Sequence, residues 1–438
     1  MSAGVALLLV FSCLFAVAFQ TPLVTSQIHP VHNIDTGLDY DFIQAAIDAP
    51  ETQNGDTITV DSGIYVEAVI VSKSLTLIGE DKEDTIIDPP SGSQYSIYVN
   101  AHVDNVRISG FTVNGALWAC IYFYSANQGC IIENNIIRNP MWSGILMEYN
   151  QSDVIIRGNT IQACFNFGIE IWEVSNAILQ GNSIIDCDYG IIIGAWWFEW
   201  LNGTSVHIFH NNLINSQLGQ AFQTIETEGF WDEGPLVGGN YWSDYNGSDT
   251  NGDGIGDTPY VLDGGEDNYP LMSPCTSTTQ TFTRGGQSYP VLAVSNATVL
   301  NIEVKPGTLK TRLSGATGNN GYVTIVQPIG LNRTSIKVIV NNTRLVPPPY
   351  PEITSNGTHY FIYFVVTFES YYEIFIVFPV LCDLDGTVNI LDCIQISKSW
   401  STNAGDPTWN PFADFNEDNK LNILDCIMLS NNMGNSWE

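Results

Sequence analysis

One short pattern recurs through the middle of the chain and limits the folds open to it. Ile-Glu-Asn-Asn135-Ile-Ile, Arg-Gly-Asn159-Thr-Ile, Gln-Gly-Asn182-Ser-Ile and His-Asn211-Asn-Leu align at spacings of 24, 23 and 29 residues. Between them Ser-Gly144-Ile-Leu-Met, Phe-Gly168-Ile-Glu-Ile and Tyr-Gly190-Ile-Ile-Ile align at spacings of 24 and 22. Short β-branched strands, turn residues and a period in the low twenties describe a parallel β-helix, in which each coil adds one strand to each of several sheets around one core. The aligned asparagines are expected to stack at a bend, each amide bonding the next along the axis. A leucine-rich-repeat horseshoe has a similar period, but its Leu/Asn consensus is absent.

Upstream, Asp41-Phe-Ile-Gln-Ala-Ala-Ile47 reads as an amphipathic helix that closes one end of the cylinder. Asp56-Thr-Ile-Thr-Val60, Gly63-Ile-Tyr-Val66 and Ser74-Leu-Thr-Leu-Ile-Gly79 read as the first strands. Downstream comes Trp231-Asp232, then Gly238-Gly-Asn-Tyr-Trp-Ser-Asp-Tyr245, Asp249-Thr-Asn251-Gly-Asp253-Gly-Ile-Gly-Asp257-Thr-Pro-Tyr260 and Asp267-Asn-Tyr-Pro-Leu271. On these residues, 35–272 resembles the pectate-lyase-like right-handed β-helix superfamily, in particular its NosD-like copper-binding branch and archaeal surface proteins. The fold class expected is mainly β. Oxygen side chains at Asp249, Asn251, Asp253 and Asp257, with glycines between, have the spacing of a calcium clamp; a Gly/Asp-rich turn is the plainer account.

Near the C-terminus, Asp414, Asn416, Asp418, Asn422 and Asp425 occupy positions 1, 3, 5, 9 and 12 of a run that opens into a helix, the spacing of a Ca²⁺ loop. About 33 residues earlier stand Asp383, Asp385, Asn389 and Asp392, and both copies continue as Asn-Ile-Leu-Asp-Cys-Ile. The duplication, 381–435, resembles a type I dockerin, which implies Ca²⁺ as cofactor and a cohesin-like protein as partner. The first copy places Leu381 at ligand position 1, so the second loop is expected to bind Ca²⁺ and the first weakly or not at all. Cys393 and Cys426 are expected to be equivalent core positions of this pair.

From Cys275, strands such as Ala297–Val304, Ser335–Val340 and Tyr360–Val366 alternate with Asn, Gly and Pro turns, so 275–380 is expected to be an immunoglobulin-like β-sandwich. Residues 1–26 read as a signal peptide ending near Ala16-Val17-Ala18, with an uncleaved N-terminal anchor as the competing account. Sequons at Asn150, Asn202, Asn246, Asn296, Asn332, Asn341 and Asn356 agree with export. The net charge is −32, because 46 acidic residues face only 14 Lys plus Arg. Nothing basic is available to neutralise phosphates, which excludes nucleic acid as a partner and any membrane contact beyond that anchor.

Strand alternation directs Tyr122, Tyr124, Glu148, Glu170 and Trp172 outward. A loop carrying Trp196, Trp197 and Trp200 follows. Aromatic faces beside carboxylates suit pyranose rings and their hydroxyls. Glu148 and Glu170 fall on neighbouring coils about two residues out of register, with Cα atoms ~8 Å apart, a separation conceivable for inverting glycoside hydrolysis. Solvated surface carboxylates are the plainer expectation. Arg157 aligns with Glu133 and is expected to pair with it rather than act as a lyase base. The histidine pairs His29/His32 and His207/His210 are expected to be solvated. Cys164 and Cys187, each five residues after a ladder asparagine, should stack on successive coils within bridging distance and pair as a disulfide. Three functions follow: an exported polysaccharide-interacting protein attached through its dockerin, a dockerin-borne glycoside hydrolase or polysaccharide lyase, or a copper-binding protein of NosD type.

Overall fold

The computed structural model describes residues 30–430 apart from 195–203, 225–226, 236, 251–253, 285–286, 306–307, 315–319, 329–336, 341–342, 345–351, 356–358, 368–371, 378–389, 404–405, 407, 409, 411–412 and 416–419. The expected signal segment, Asn251, Asp253, Asp383, Asp385, Asn389, Asn416, Asp418, Trp196, Trp197 and Trp200 lie outside the described residues.

Three sheets, here called A, B and C, wrap one core. Within each, successive coils pair in parallel and in register: Ile131–Glu133 on Ile155–Arg157 in sheet A, Ile136–Arg138 on Thr160–Gln162 in sheet B, Ser143–Met147 on Phe167–Ile171 in sheet C. Ile97, Ile121, Ile145, Ile169 and Ile191 form an inward row along the whole of sheet C. The aligned glycines have a steric reason. A Cβ on Gly168 would stand 2.4 Å from Ile184 Cγ2 and 2.6 Å from the Gly190 carbonyl oxygen, so only hydrogen fits between coils there.

The asparagine ladder stands at the bend from sheet A to sheet B, fully buried, and runs one coil further than the sequence pattern suggested. Asn135, Asn159, Asn182 and Asn211 each donate Nδ2 to the next Oδ1, ending on Asn240, at 3.1, 3.0, 2.9 and 2.9 Å. Each Oδ1 from Asn159 onward also accepts the backbone N–H of the asparagine before it. Each Nδ2 also reaches a strand carbonyl of the coil before, such as Ile132 O for Asn159. The side-chain oxygen and nitrogen of every ladder asparagine are hydrogen-bonded, which is what allows five amides inside an apolar core. Asp267 ends the column by accepting from Asn240 N, Trp242 Nε1 and Tyr269 N. A Cβ on Gly239 would lie 1.9 Å from Asp267 Oδ1, which accounts for the glycine before the last ladder residue.

The near end is closed by helix Ile43–Asp48, as expected, and also by an antiparallel hairpin, Val31–Asn33 with Leu38–Tyr40, which pairs onto Thr57–Val60. The far end is filled by buried Trp231 and Trp242, with Tyr260 stacked on Trp242 at 4.1 Å. Beyond it lie two five-stranded antiparallel sheets. They join the cylinder through Asn212, which exchanges hydrogen bonds with the Cys275 backbone at 2.7 and 2.8 Å, and through a cluster that includes Phe209, Leu271, Leu292 and Val294. At the C-terminus Ile390–Lys398 and Ile423–Ser430 are helices around a small core of Ile396, Ala413, Phe415, Leu421 and Leu429. Cys393 and Cys426 both pack against that core. Among the described residues no helix is long and apolar enough to cross a membrane.

Candidate functional site

The outer face of sheet C carries most of the exterior aromatic surface. Tyr98, Tyr122, Leu146, Glu170 and Ile192 form one outward row, and Tyr95, Ala119, Ser143, Phe167 and Tyr189 another. Tyr95 stacks on Tyr122 at 4.7 Å, Tyr98 tilts against both, and Tyr124 bridges Tyr122 to Tyr149. A second file, Trp118, Trp142, Phe167 and Tyr189, runs from coil to coil with centroids about 6 Å apart. Trp118, Trp142 and Tyr124 are exposed, and a recess of about 280 Å³ opens against Tyr95, Tyr98, Gln94 and Ile70. Tyr95, Tyr98, Trp118 and Trp142 were missed by sequence reasoning. Their signal was the same register that placed Tyr122, read one coil earlier and one turn earlier.

Glu148 and Glu170 do share this face, with Glu170 opposite Leu146 and Glu148 two residues further on. The expectation of solvated carboxylates fails, because Glu170 is 3% exposed and Glu148 6%. Tyr122 Oη donates to Glu148, and Ser143 Oγ donates to Glu170. Burial pushes the Glu170 carboxyl up to about 7. Ser143 opposes that shift, the Glu148 charge adds to it, and the Trp172 and Trp142 indoles favour the ionised form. The Trp172 Nε1 is buried without a complete hydrogen bond, so its contact is an approach rather than a bond. Burial likewise raises Glu148, against the Tyr122 hydrogen bond. Tyr122 itself faces outward but is covered, so its polar end serves Glu148 rather than solvent.

Burial also raises Asp267 to about 7. A carboxyl raised in the folded state binds its proton more tightly there than when unfolded. Its contribution is therefore full below about pH 4 and is lost as pH rises through about 7. The thermal midpoint of the cylinder is expected to fall between pH 4.5 and 7.5 on account of these two groups, and less steeply in Glu170→Gln and Asp267→Asn. Parallel slopes for wild type and both variants would contradict this.

Arg157, set aside as a lyase base, is engaged with Glu133 as expected. Arg107 and Arg157 both clamp Glu133, at 2.5 and 2.6 Å. Burial works to raise Glu133, but the two guanidiniums together hold it below the usual carboxylate range. The histidines do not converge. His32 lies between Asp39 and Asp61, and His207 meets Glu233 at 2.5 Å. His210 is not solvated as expected; it is fully buried, its Nε2 is 2.6 Å from Val237 O, and burial lowers it to about 4. Cys164 and Cys187 are neighbours as expected, but the disulfide expected between them is not formed and both are free thiols. Among the described residues no three His, Cys, Asp or Glu side chains gather as a metal ion requires, so these residues do not fit a copper centre.

The calcium-loop residues behave differently at the two sites. Asp249 accepts from Gly254 N, and Asp257 from Thr250 N and Oγ1, so these carboxylates close their own turn. In the C-terminal domain Asp414, Asp392 and Asp425 are fully buried. Asn422 Oδ1 caps Leu424 N, and Asp425 Oδ2 returns to Asn422 N at 2.9 Å, a capping box. Asp425 Oδ1 also takes Phe415 N at 2.8 Å, tying the start of the loop to the helix. Asp414 and Asp425 thus stand buried at the two ends of one loop, where the described oxygens of Asp425 accept backbone N–H groups.

Comparison with known proteins agrees with this division of the chain. Residues 33–247 match the family described as periplasmic copper-binding protein (NosD), and residues 382–434 match the dockerin type I domain. A cell surface glycoprotein of Methanothermus fervidus is 32% identical over 184 residues, which is 40% of this chain and 30% of that protein. This chain thus matches under a third of that relative's length. A pectin methylesterase solved with a hexasaccharide shares 13% identity over 48% of this chain and 75% of its own, with a TM-score of 0.28. The Dettilon tailspike protein shares 10% identity over 74% and 88%, with a TM-score of 0.20. The family matches thus fall on two separate parts of the chain, the NosD match on the β-helix and the dockerin match on the C-terminal helix pair.

Proposed function

We propose that this is an exported, cell-surface or secreted protein that binds polysaccharide on sheet C and is attached through its dockerin domain, with Ca²⁺, to a cohesin-like protein. The observation that carries the glycan reading is the aromatic band with its recess at Tyr95 and Tyr98. Exposed flat rings at successive coils suit a polymer of pyranose rings, and the polar Gln94 and Ser93 at the recess suit its hydroxyls. For the attachment reading, Ile390, Leu391 and Ile394 on one C-terminal helix and Ile423, Leu424 and Ile427 on the other are all exposed. Apolar side chains repeated at equivalent positions on two small helices favour a protein partner. The cell-surface reading draws on the glycoprotein relative and on the expected signal segment.

Affinity electrophoresis on a panel of neutral and acidic polysaccharides tests the glycan reading, and reducing-end release on the same panel tests catalysis. Trp142→Ala is expected to weaken retention about tenfold, the upper part of what one aromatic contact supplies. Equal retention of wild type and of a Tyr98→Ala/Trp142→Ala double variant would overturn the binding face. The second reading, a glycoside hydrolase, draws on Glu170, whose carboxyl is pushed up to about 7 and so is shared between its protonated and ionised forms at neutral pH, on the same face as the second carboxyl, Glu148. Release by wild type that is abolished in Glu170→Gln would select it.

A further inference from the structure

Sheet B has an outer face of opposite character. Asp88, Asn114, Arg138 and Gln162 stand on four successive coils, one above another. Asn114 Nδ2 donates to Asp88 Oδ1 at 2.9 Å, and Arg138 Nε donates to Asn114 Oδ1 at 2.9 Å. This relay fixes the plane of the guanidinium by its inner edge. The terminal Nη donors have no protein partner among the described residues, and they border an open recess of about 500 Å³ lined almost entirely by polar atoms. Gly115 and Asn139 complete the recess. A Cβ on Gly115 would stand 1.9 Å from the Asn139 carbonyl oxygen, so the floor is held free of side chain there.

In a chain with 14 basic residues and a net charge of −32, Arg138 is held by one amide, unlike its described neighbours on the cylinder. Arg107 and Arg157 are clamped on Glu133, and Lys73 is spent on the Ile47 and Ala49 carbonyls. A planar fork with its outer edge unpaired is matched by a carboxylate, which accepts two parallel N–H bonds. The flanking amides of Gln162 and Asn139 offer donors and acceptors of the kind that hydroxyls on an adjacent ring would use.

We infer that this recess on sheet B is a second glycan subsite, distinct from the aromatic band on sheet C, and that Arg138 takes the carboxylate of an acidic sugar unit. The choice of a sugar rests on the polysaccharide reading above; the carboxylate preference rests on Arg138 alone.

Calorimetric titration of the full-length protein with a tetraglucuronate, its methyl ester, a neutral glucose tetramer and acetate separates the two. Wild type is expected to bind the tetraglucuronate at least tenfold more tightly than its ester. Arg138→Gln and Gln162→Glu should each remove that preference with unchanged thermal midpoints, and Arg138→Lys should keep part of it. Equal binding of acid and ester, or no saturable binding of the acid, overturns the proposal. So does a preference that survives Arg138→Gln but falls in Trp142→Ala, which would move the acid to sheet C and leave the first reading standing. Binding of acetate as tight as the tetramer overturns the sugar and keeps the carboxylate site.

Discussion

Asn182→Ala is expected to unfold the middle of the cylinder under conditions where the wild-type protein is fully folded. Asn182 Oδ1 accepts from both the backbone N–H and the Nδ2 of Asn159, while its own Nδ2 serves Ile156 O and Asn211 Oδ1. Alanine leaves two buried donors and two buried acceptors each one bond short; Asn159 Nδ2 keeps Ile132 O and Asn211 Oδ1 keeps Asn182 N, while Asn159 N and Ile156 O lose their Asn182 partner. Each orphaned group costs roughly 1–3 kcal/mol, so two of them cost about 2–6 kcal/mol, against the ~5–15 kcal/mol that holds an ordinary domain. Asn182→Asp should be no rescue, since a carboxylate cannot donate to Ile156 O or Asn211 Oδ1. The exposed Gln217→Ala serves as control and is expected to stay within ~0.5 kcal/mol of wild type. Thermal melts with limited proteolysis read the effect, and a variant as resistant as wild type would remove the ladder from the account of stability. Neighbouring coils should open with the damaged one, because each coil packs mainly on the coils on either side.

The cylinder was legible because its repeat is written twice per coil, once in asparagine and once in glycine, and both columns have physical causes that leave little choice of residue. Asn240 escaped the alignment because Trp242 stands where each earlier copy has Ile or Leu two residues on, although its hydrogen bonds are the same. The hairpin at the near end escaped because three-residue strands leave almost no periodic trace. Alternation reported correctly that Glu148, Glu170 and Tyr122 point out of the cylinder. It could not report that the outer face is itself covered there, since a period of two distinguishes inside from outside and carries nothing about what lies on top. That one omission turned two expected surface carboxylates into buried groups with raised affinity for protons. His210 was misjudged for a related reason. It sits at a bend with φ of 56°, where the strand period does not apply, and the bend folds it inward.

Removing Ca²⁺ is expected to melt the C-terminal helix pair while leaving the cylinder intact. Among the described residues five buried side chains form the core of the pair, a small apolar burial against the ordering of about fifty residues. The buried carboxylates of Asp414 and Asp425 add a cost that a divalent cation would convert into stabilisation, by about 2.7 kcal/mol when free Ca²⁺ exceeds its dissociation constant a hundredfold. Hydrogen exchange resolves the two parts of the molecule: amides of Ile423–Ser430 should lose their protection in chelator, and those of Ser143–Met147 should keep it. Asp425→Ala should reproduce the chelated state even in excess Ca²⁺, because the residue also closes the capping box and holds Phe415 N. Asp425→Asn separates the roles, since one amide oxygen preserves a single backbone contact while the charge for Ca²⁺ is gone; partial protection that no longer responds to Ca²⁺ is the expected result. Asp392→Ala should cost less Ca²⁺ response than Asp425→Ala, because its loop begins at Leu381 where the other has an acid. Protection of the helix pair that is equal with and without Ca²⁺ would mean that the domain is held by its packing alone, and the calcium role would fall.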